Sequence, residues 1–265
     1  MCIFWKAAQK SGMNAEEEQM KKRLRELAER SYRGNCYTFT DFLSLAELSC
    51  YYEMERELSF AGEMVSGGGE GRERCMIRFG NPGELGYEQD FPIVCLRIRP
   101  LMKKFAEDLT HRDFLGALMN LGIERGTLGD IILQEKEAFL FCKEIIAPYI
   151  MENLTRVRHT SVLCEVTEEI PVEGEAELKD INIQIASERI DGVIAKVYKL
   201  SRSDSAALFL QKRIFVNGRQ CENNSHMLKD GDQISVRGYG RFIYAGGRGL
   251  SKKGKLNALI QIYGG

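Results

Sequence analysis

The chain has 265 residues, 44% apolar and 28% charged, with 8 Cys, 3 His and 1 Trp. This composition argues against collagen-like, low-complexity and disulfide-scaffold chains and leaves enough apolar material for more than one core. The net charge of -1 hides a split. Residues 1–178 carry 22 Lys and Arg against 31 Asp and Glu, and residues 179–265 carry 15 against 7. A polyanionic partner for the C-terminal part is expected, and for the acidic remainder it is not.

The start, MCIFWKAAQK, is apolar for five residues only, too few for a signal-peptide core or a bilayer span. No run of eighteen apolar residues occurs anywhere, so a cytoplasmic protein is expected. Cys2, Cys36, Cys50, Cys75, Cys95, Cys142, Cys164 and Cys221 lie in or beside apolar runs without C-x-x-C spacing. They read as buried free thiols, and three dispersed histidines add no metal-ligand pattern, so no metal and no cofactor is expected.

Residues 14–70 read as an N-terminal helical segment. Met20, Leu24 and Leu27 recur at helical spacing, and "TFTDFLSLAELSCYYEMEREL" is a second helix with Thr38 or Thr40 as its cap. The run "SGGGEG" at 66–71 lacks the Gly-Lys-Ser/Thr and the following helix of a phosphate loop, and reads as a mobile linker or loop.

Residues 72–170 alternate strands and helices. "RCMIRFG" and "FPIVCLRIRP" are strand-like, and "THRDFLGALMNLG" is a helix opened by a Thr110–Asp113 capping box and stopped at Gly122. "GDIILQEKEAFLFC" is a hairpin turning near Gln134–Glu135–Lys136, "KEIIAPYIMENL" a helix and "HTSVLCEV" a strand that carries His159. That order is a split βαβ sandwich, the ferredoxin-like plait. His111-Arg112-Asp113 lacks the companion motifs of a kinase catalytic loop and reads as a charged helix start. An acidic stretch with a Pro and a Gly, near 168–178, marks a domain junction.

The C-terminal part holds "SERIDGVIAKVYKL" and "SRSDSAALFLQKR" as two short helices, the second capped by Ser201 or Ser203. "IFVNGRQC", with an Asn-Gly turn signal, and "LKDGDQISVRGYGRFIYAG" supply strands. Basic residues at the second helix's two ends and at the strand edges form an L-shaped positive surface.

The series "ERID…A…LSRSDSA…FLQKRIFVNGRQ…LKDGDQISVRG" resembles the S4-type RNA-binding domain over about 60 residues. With "HRDFLGALMNLGIERGTLGDIIL" and "GDQISVRGYGRF", the chain resembles YlmH-type bacterial proteins across about residues 20–262. The resemblance implies an α+β chain in three parts. These are the helical segment (14–70), a central ferredoxin-like, RRM-like plait (72–170) and a C-terminal S4-type αL RNA-binding domain (180–262). It implies a non-catalytic, monomeric binder of structured RNA, with neither membrane nor small-molecule substrate. The RNA would be rRNA or tRNA, on the large ribosomal subunit, in rescue of stalled subunits. Genes of the family often lie near cell-division genes. Carried over by position, the RNA-binding residues are Arg189, Ser201, Arg202, Ser203, Lys212, Arg213, Asn217, Arg219, Arg237 and Arg241. Arginine forks suit phosphate oxygens, and a capped helix start adds N–H donors.

Two positions depart from the usual S4 pattern. Lys212 stands where Gly is common, so it either takes a left-handed conformation costing roughly 1 kcal/mol or the turn is built differently. Phe215 replaces a commonly basic residue and either packs inward or offers a stacking face. The alternative function is an RNA-modifying enzyme, a pseudouridine synthase or methyltransferase docking through the S4 domain. Asp191 in "ERID" and the glycines of "RFGNPGELG" are poor matches to the sites such enzymes need.

Overall fold

The computed structural model describes residues 2–169, 178–251 and 254–263, with side chains described from residue 15 onward. The chain forms two compact units, residues 1–173 and 174–265. The junction read at 168–178 falls almost entirely outside the described residues.

The first unit opens with α1 (Cys2–Gly34) and α2 (Leu45–Leu58). Leu24, Leu27 and Ala28 of α1 meet Leu48, Tyr51, Met54 and Leu58 of α2, as the helical spacing requires. The cap of α2 is Ser44, not Thr38 or Thr40. The Glu47 carboxylate accepts the Ser44 N–H at 2.7 Å, and the Ser44 hydroxyl accepts the Glu47 N–H at 3.4 Å. Thr38 sits instead in a short strand, β1 (Thr38–Phe39), and donates its hydroxyl to the Leu27 carbonyl at 2.9 Å.

The N-terminal segment is therefore not wholly helical. With β2 (Glu63–Ser66) and β3 (Met76–Phe79), β1 forms a three-stranded antiparallel sheet in the order β1-β3-β2. "RCMIRFG" supplies β3 and belongs to this sheet rather than to the plait. The Gly-rich run is the loop of the β2–β3 hairpin, not a linker. Gly68 takes φ +87°, and a Cβ there would come within 2.7 Å of the Phe141 ring, so only Gly lets the loop close on the neighbouring sheet. One further helical turn, α3 (Pro82–Leu85), is capped by Asn81.

The plait follows: β4 (Ile93–Pro100), α4 (His111–Asn120), β5 (Leu128–Gln134), β6 (Glu137–Lys143), α5 (Ala147–Asn153), β7 (Arg156–Val157) and β8 (Thr160–Val166). The sheet is antiparallel in the order β5-β6-β4-β8-β7, the strand arrangement of a ferredoxin-like fold with one added edge strand. The turn falls where expected, with Glu135 left-handed at φ +48°. The Asp113 carboxylate accepts both the N–H and the hydroxyl of Thr110, at 2.8 and 2.7 Å. His159 lies in the turn between β7 and β8, not on a strand.

Strand alternation divides the sheet into two faces. Leu96 and Ile98 of β4, Leu140 and Cys142 of β6 and Cys164 of β8 point to α4 and α5, meeting Phe114, Leu118 and Ile150. Cys95, Phe139 and Phe141 point the other way and are covered by Phe42 and Met76 of the N-terminal part. Arg72 lies 4.5 Å over the Phe141 ring. The remainder of that face carries ion pairs: Arg97–Glu137 at 2.7 Å, Lys103–Glu137 at 3.0 Å and Arg99–Glu165 at 3.0 Å.

Half-buried polar contacts join the two halves of this unit. The Arg74 guanidinium donates to the carbonyls of Leu128, Phe42 and Arg125 at 2.9, 2.8 and 3.1 Å. Asp130 accepts the Glu73 N–H at 2.6 Å. Burial, then the charge of Arg74, pushes Arg125 down to about 10. Burial works against an ionised Asp41, but Lys143 and Arg23 outweigh it and hold the carboxyl below its ordinary range. The thiols of Cys75, Cys142 and Cys164 are pushed up to about 12 by burial, and all described cysteines are free.

Among its described residues the second unit has one six-stranded antiparallel sheet with two helices. Its elements are β9 (Lys179–Ile185), α6 (Ile190–Val197), α7 (Arg202–Leu210), β10 (Ile214–Val216), β11 (Arg219–Gln220), β12 (Asp232–Val236), β13 (Gly240–Leu250) and β14 (Leu256–Ile262). The strand order is β11-β10-β12-β13-β14-β9. Ile190, Val193 and Ile194 of α6 and Leu208 and Phe209 of α7 pack on Ile214, Ile234, Phe242 and Ile260. Tyr244 is fully buried there, and its hydroxyl donates to Glu188 at 2.8 Å. Phe215 is buried and offers no stacking face.

Candidate nucleic-acid interface

The helix pair fixes the first group of basic residues. The Ser205 hydroxyl on α7 donates to the Asp191 carbonyl on α6 at 3.0 Å, which ties the start of α6 to the first turns of α7. Arg189 grips Asp191 through Nη2–Oδ2 at 2.7 Å and Nε–Oδ1 at 3.1 Å. That hydrogen bond, followed by the Gly192 N–H and the charges of Arg189 and Arg202, holds the Asp191 carboxyl below its ordinary range against desolvation. Arg202 is exposed beside this pair.

At the start of α7, the Ser201 hydroxyl accepts the Asp204 N–H at 3.1 Å. It also donates to the Asp204 carboxylate at 2.6 Å and lies 2.8 Å from the Ser203 hydroxyl. The helix start is thus partly satisfied from within, and a carboxylate already sits on its positive end. Here Arg202 is the group free to meet a phosphate, rather than the helix N–H groups.

The second group surrounds the β12–β13 turn. Arg213 stacks at 5.7 Å on Tyr239, and its Nε donates to the Arg237 carbonyl at 2.9 Å. Its Nη1 donates to Gln211 at 3.3 Å. Arg213 therefore braces the turn, while the Arg237 side chain is exposed. Gly238 and Gly240 take φ +89° and +115°, and between them Tyr239 is 43% exposed, its ring 5.4 Å from Tyr198 at the end of α6. An exposed guanidinium beside a half-exposed ring suits a phosphate next to a base or sugar.

Four candidates remain. Lys212 is left-handed at φ +54° and pairs with Glu222 at 3.7 Å. Asn217 is also left-handed, at φ +51°. Its amide donates to Asp232 at 2.8 Å and its carbonyl oxygen accepts the Gln233 N–H at 2.9 Å, so it builds the β10–β11 turn. Arg219 is exposed on β11, at the sheet edge. Arg241 stacks 4.1 Å over Tyr263.

A family model described as "Putative RNA-binding domain in YlmH" matches residues 87–170, the span of the plait. A curated relative is the ribosome-associated protein quality control protein P2 of Bacillus subtilis (strain 168), 31% identical over 178 residues. The chain is YlmH-like. The match to that relative covers 63% of this chain and 65% of the relative, so the chain spans less than two thirds of the protein it matches. The cell division protein ylmH from Streptococcus pneumoniae, a solved structure 21% identical, covers 59% of this chain and 95% of that one at a TM-score of 0.47. No described helix of the YlmH-like chain is long and apolar enough to cross a membrane. Among its described residues no group of His, Cys, Asp and Glu could hold a metal ion.

In this YlmH-like chain the sequence reading missed Tyr239 and Tyr198. The signal for Tyr239 was present: Gly-Tyr-Gly between two strand-like runs lifts the ring out on a turn that only glycines permit.

Proposed function

We propose that the chain binds structured RNA without transforming it, and that the second unit supplies the main contact through Arg202, Arg237 and Tyr239. The observation that carries this reading is the exposure of the Arg202 and Arg237 guanidiniums while their neighbours Arg189 and Arg213 are spent on Asp191 and on a turn carbonyl. The sidedness of the charge supports it, since residues 179–265 carry 15 basic against 7 acidic residues. In this reading Arg189, Ser201, Ser203, Lys212, Arg213 and Asn217 shape the surface, and Arg219 and Arg241 extend it. The target in this reading is rRNA or tRNA on the large ribosomal subunit, at stalled subunits; the Bacillus subtilis relative, a ribosome-associated quality control protein, supports the ribosome as partner.

Cosedimentation of the full chain with isolated large and small ribosomal subunits tests this. Preferential pelleting with the large subunit, weakening steeply as salt rises, is expected. Pelleting with neither would sink the reading. Conversion of a bound RNA nucleoside, detected by mass spectrometry with and without S-adenosylmethionine, would refute the non-catalytic part.

A further inference from the structure

The plait presents its sheet face poorly to any ligand. RNA-binding plaits of the RRM kind stack bases on aromatic side chains of that face. Here Phe141 lies under Arg72 and the β2–β3 loop, Phe139 is buried, and the rest is latched by Arg97–Glu137 and Arg99–Glu165. The helix layer on the opposite side is different. It contains a cleft of about 520 Å³ whose walls include Arg112, Gly116 and Asn120 on one side and Asn153, Arg156 and Arg158 on the other.

Three features give the cleft a chemistry. Arg112, Gly116 and Asn120 are four residues apart along α4 and share one stripe of that helix. The three arginines are exposed, Arg156 with one N–H on the His159 carbonyl at 3.4 Å, and they have one acidic neighbour in the cleft, Asp113. Asp113 is held by the Thr110 N–H and hydroxyl and lies 3.6 Å from Arg158. The third feature is Gly116. Glycine inside a helix is destabilising relative to alanine, and glycines are retained where backbone must come close to something. Beyond the helix's own backbone nothing in the fold comes close: a Cβ at 116 would meet no other atom within 4 Å. The missing side chain opens the cleft floor between Arg112 and Asn120.

We propose that this cleft is a second RNA contact, taking a sugar-phosphate backbone along α4, with Arg112, Arg156 and Arg158 on the phosphates and Gly116 admitting the strand to the helix surface. The proposal gives the span matched by the putative RNA-binding domain, residues 87–170, a specific contact surface despite the net negative charge of the first unit, and it rests on the RNA-binding reading for the class of ligand. Phosphate-directed guanidiniums without base-reading groups would position the RNA rather than select its sequence.

The test uses the full chain, purified large ribosomal subunits and a salt titration. Gly116→Ala should raise the melting temperature through helix propensity, yet weaken binding by about 3- to 10-fold, the size of one net polar contact. Arg112→Gln with Arg156→Gln should flatten the log–log salt slope by roughly 1.4 to 1.8 with an unchanged melting temperature. Wild-type affinity and slope in both variants, alongside a loss in Arg202→Gln/Arg237→Gln, would overturn the cleft and leave the second-unit interface standing. Loss in the cleft variants with none in Arg202→Gln/Arg237→Gln would uphold the cleft and overturn that interface. Saturable binding of a free mononucleotide that both cleft variants abolish, with subunit affinity unchanged, would reassign the cleft and overturn the RNA proposal.

Discussion

The arginines of the two units show how far placement outweighs residue type. In the first unit Arg74 reaches three backbone carbonyls, and Arg78 is nearly buried between the rings of Tyr37 and Phe91, at 5.0 and 5.6 Å. In the second unit Arg202 and Arg237 stand exposed beside arginines that are themselves occupied. A guanidinium's hydrogen bonds are worth most where water cannot compete, and its phosphate affinity is greatest where nothing inside the protein competes. The first kind holds a fold together and the second kind is available to a partner.

The sharpest way to break this contrast is to remove one arginine of each kind. Arg74→Ala should cost roughly 2 kcal/mol, since the Phe42 carbonyl at the seam between the N-terminal sheet and the plait loses its guanidinium donor, while the Leu128 and Arg125 carbonyls keep donors in Arg125 Nη1 and the Leu128 N–H. Urea denaturation followed by circular dichroism measures it, and a loss below about 1 kcal/mol would place Arg74 with the surface cations.

Next in size is Arg202→Gln with Arg237→Gln. The salt slope of binding to the large subunit should flatten by roughly 1.4 to 1.8, with similar losses for related and unrelated structured RNAs. Stability should change by less than about 0.5 kcal/mol. An unchanged slope with a collapsed melting temperature would make these two structural as well.

The carboxylates sharpen the comparison in the same order. Asp41 and Glu137 have folded values held below the ordinary range by Lys and Arg partners despite burial. A depressed carboxylate contributes stability that is present above the unfolded value, near pH 4, and lost as pH falls through the folded value. The first unit should therefore lose stability on acidification below about pH 4, and Asp41→Asn should reduce that dependence. Thermal melts across that window read it directly, and identical acid profiles for the variant and the parent would remove Asp41 from the account.

The smallest effect belongs to Lys212. At φ +54° it pays the left-handed penalty, so Lys212→Gly should be neutral or stabilising by up to roughly 1 kcal/mol. RNA affinity should fall slightly through loss of one charge. A clear drop in melting temperature would show that the Glu222 pair outweighs the backbone strain.

Legibility in the sequence followed element length and locality. The α4 cap, the hairpin at Glu135 and the α6–α7 pair carry their signals within a few residues of chain, and each formed where expected. β1 and β2 are two and four residues long, too short for a period to show, and their partner β3 looked like the plait's first strand. Ser44 was passed over as a cap because Thr38 and Thr40 come first in a run that looked helical throughout. The basic candidates were legible as a set but not by role. Nothing in the sequence reports that Arg213 is spent on a carbonyl 24 residues away, since a backbone acceptor has no residue signature. The cleft beside Gly116 was equally hidden, because it is lined from α4 and from the β7 region some 40 residues later.

The pairing of β9 with β14 bears on the order in which the second unit can form during synthesis. Residues 179–185 and 256–262 are neighbours in the sheet although the whole unit lies between them. β9 emerges first, and its partner edge does not exist until β14 has been made. At translation rates of about 5–20 residues per second, roughly 70 residues of separation leave β9 as an unpaired edge for about 4 to 14 seconds. The helices and the central strands β10, β12 and β13 can settle in that interval from closer contacts, with β9 and β14 closing last.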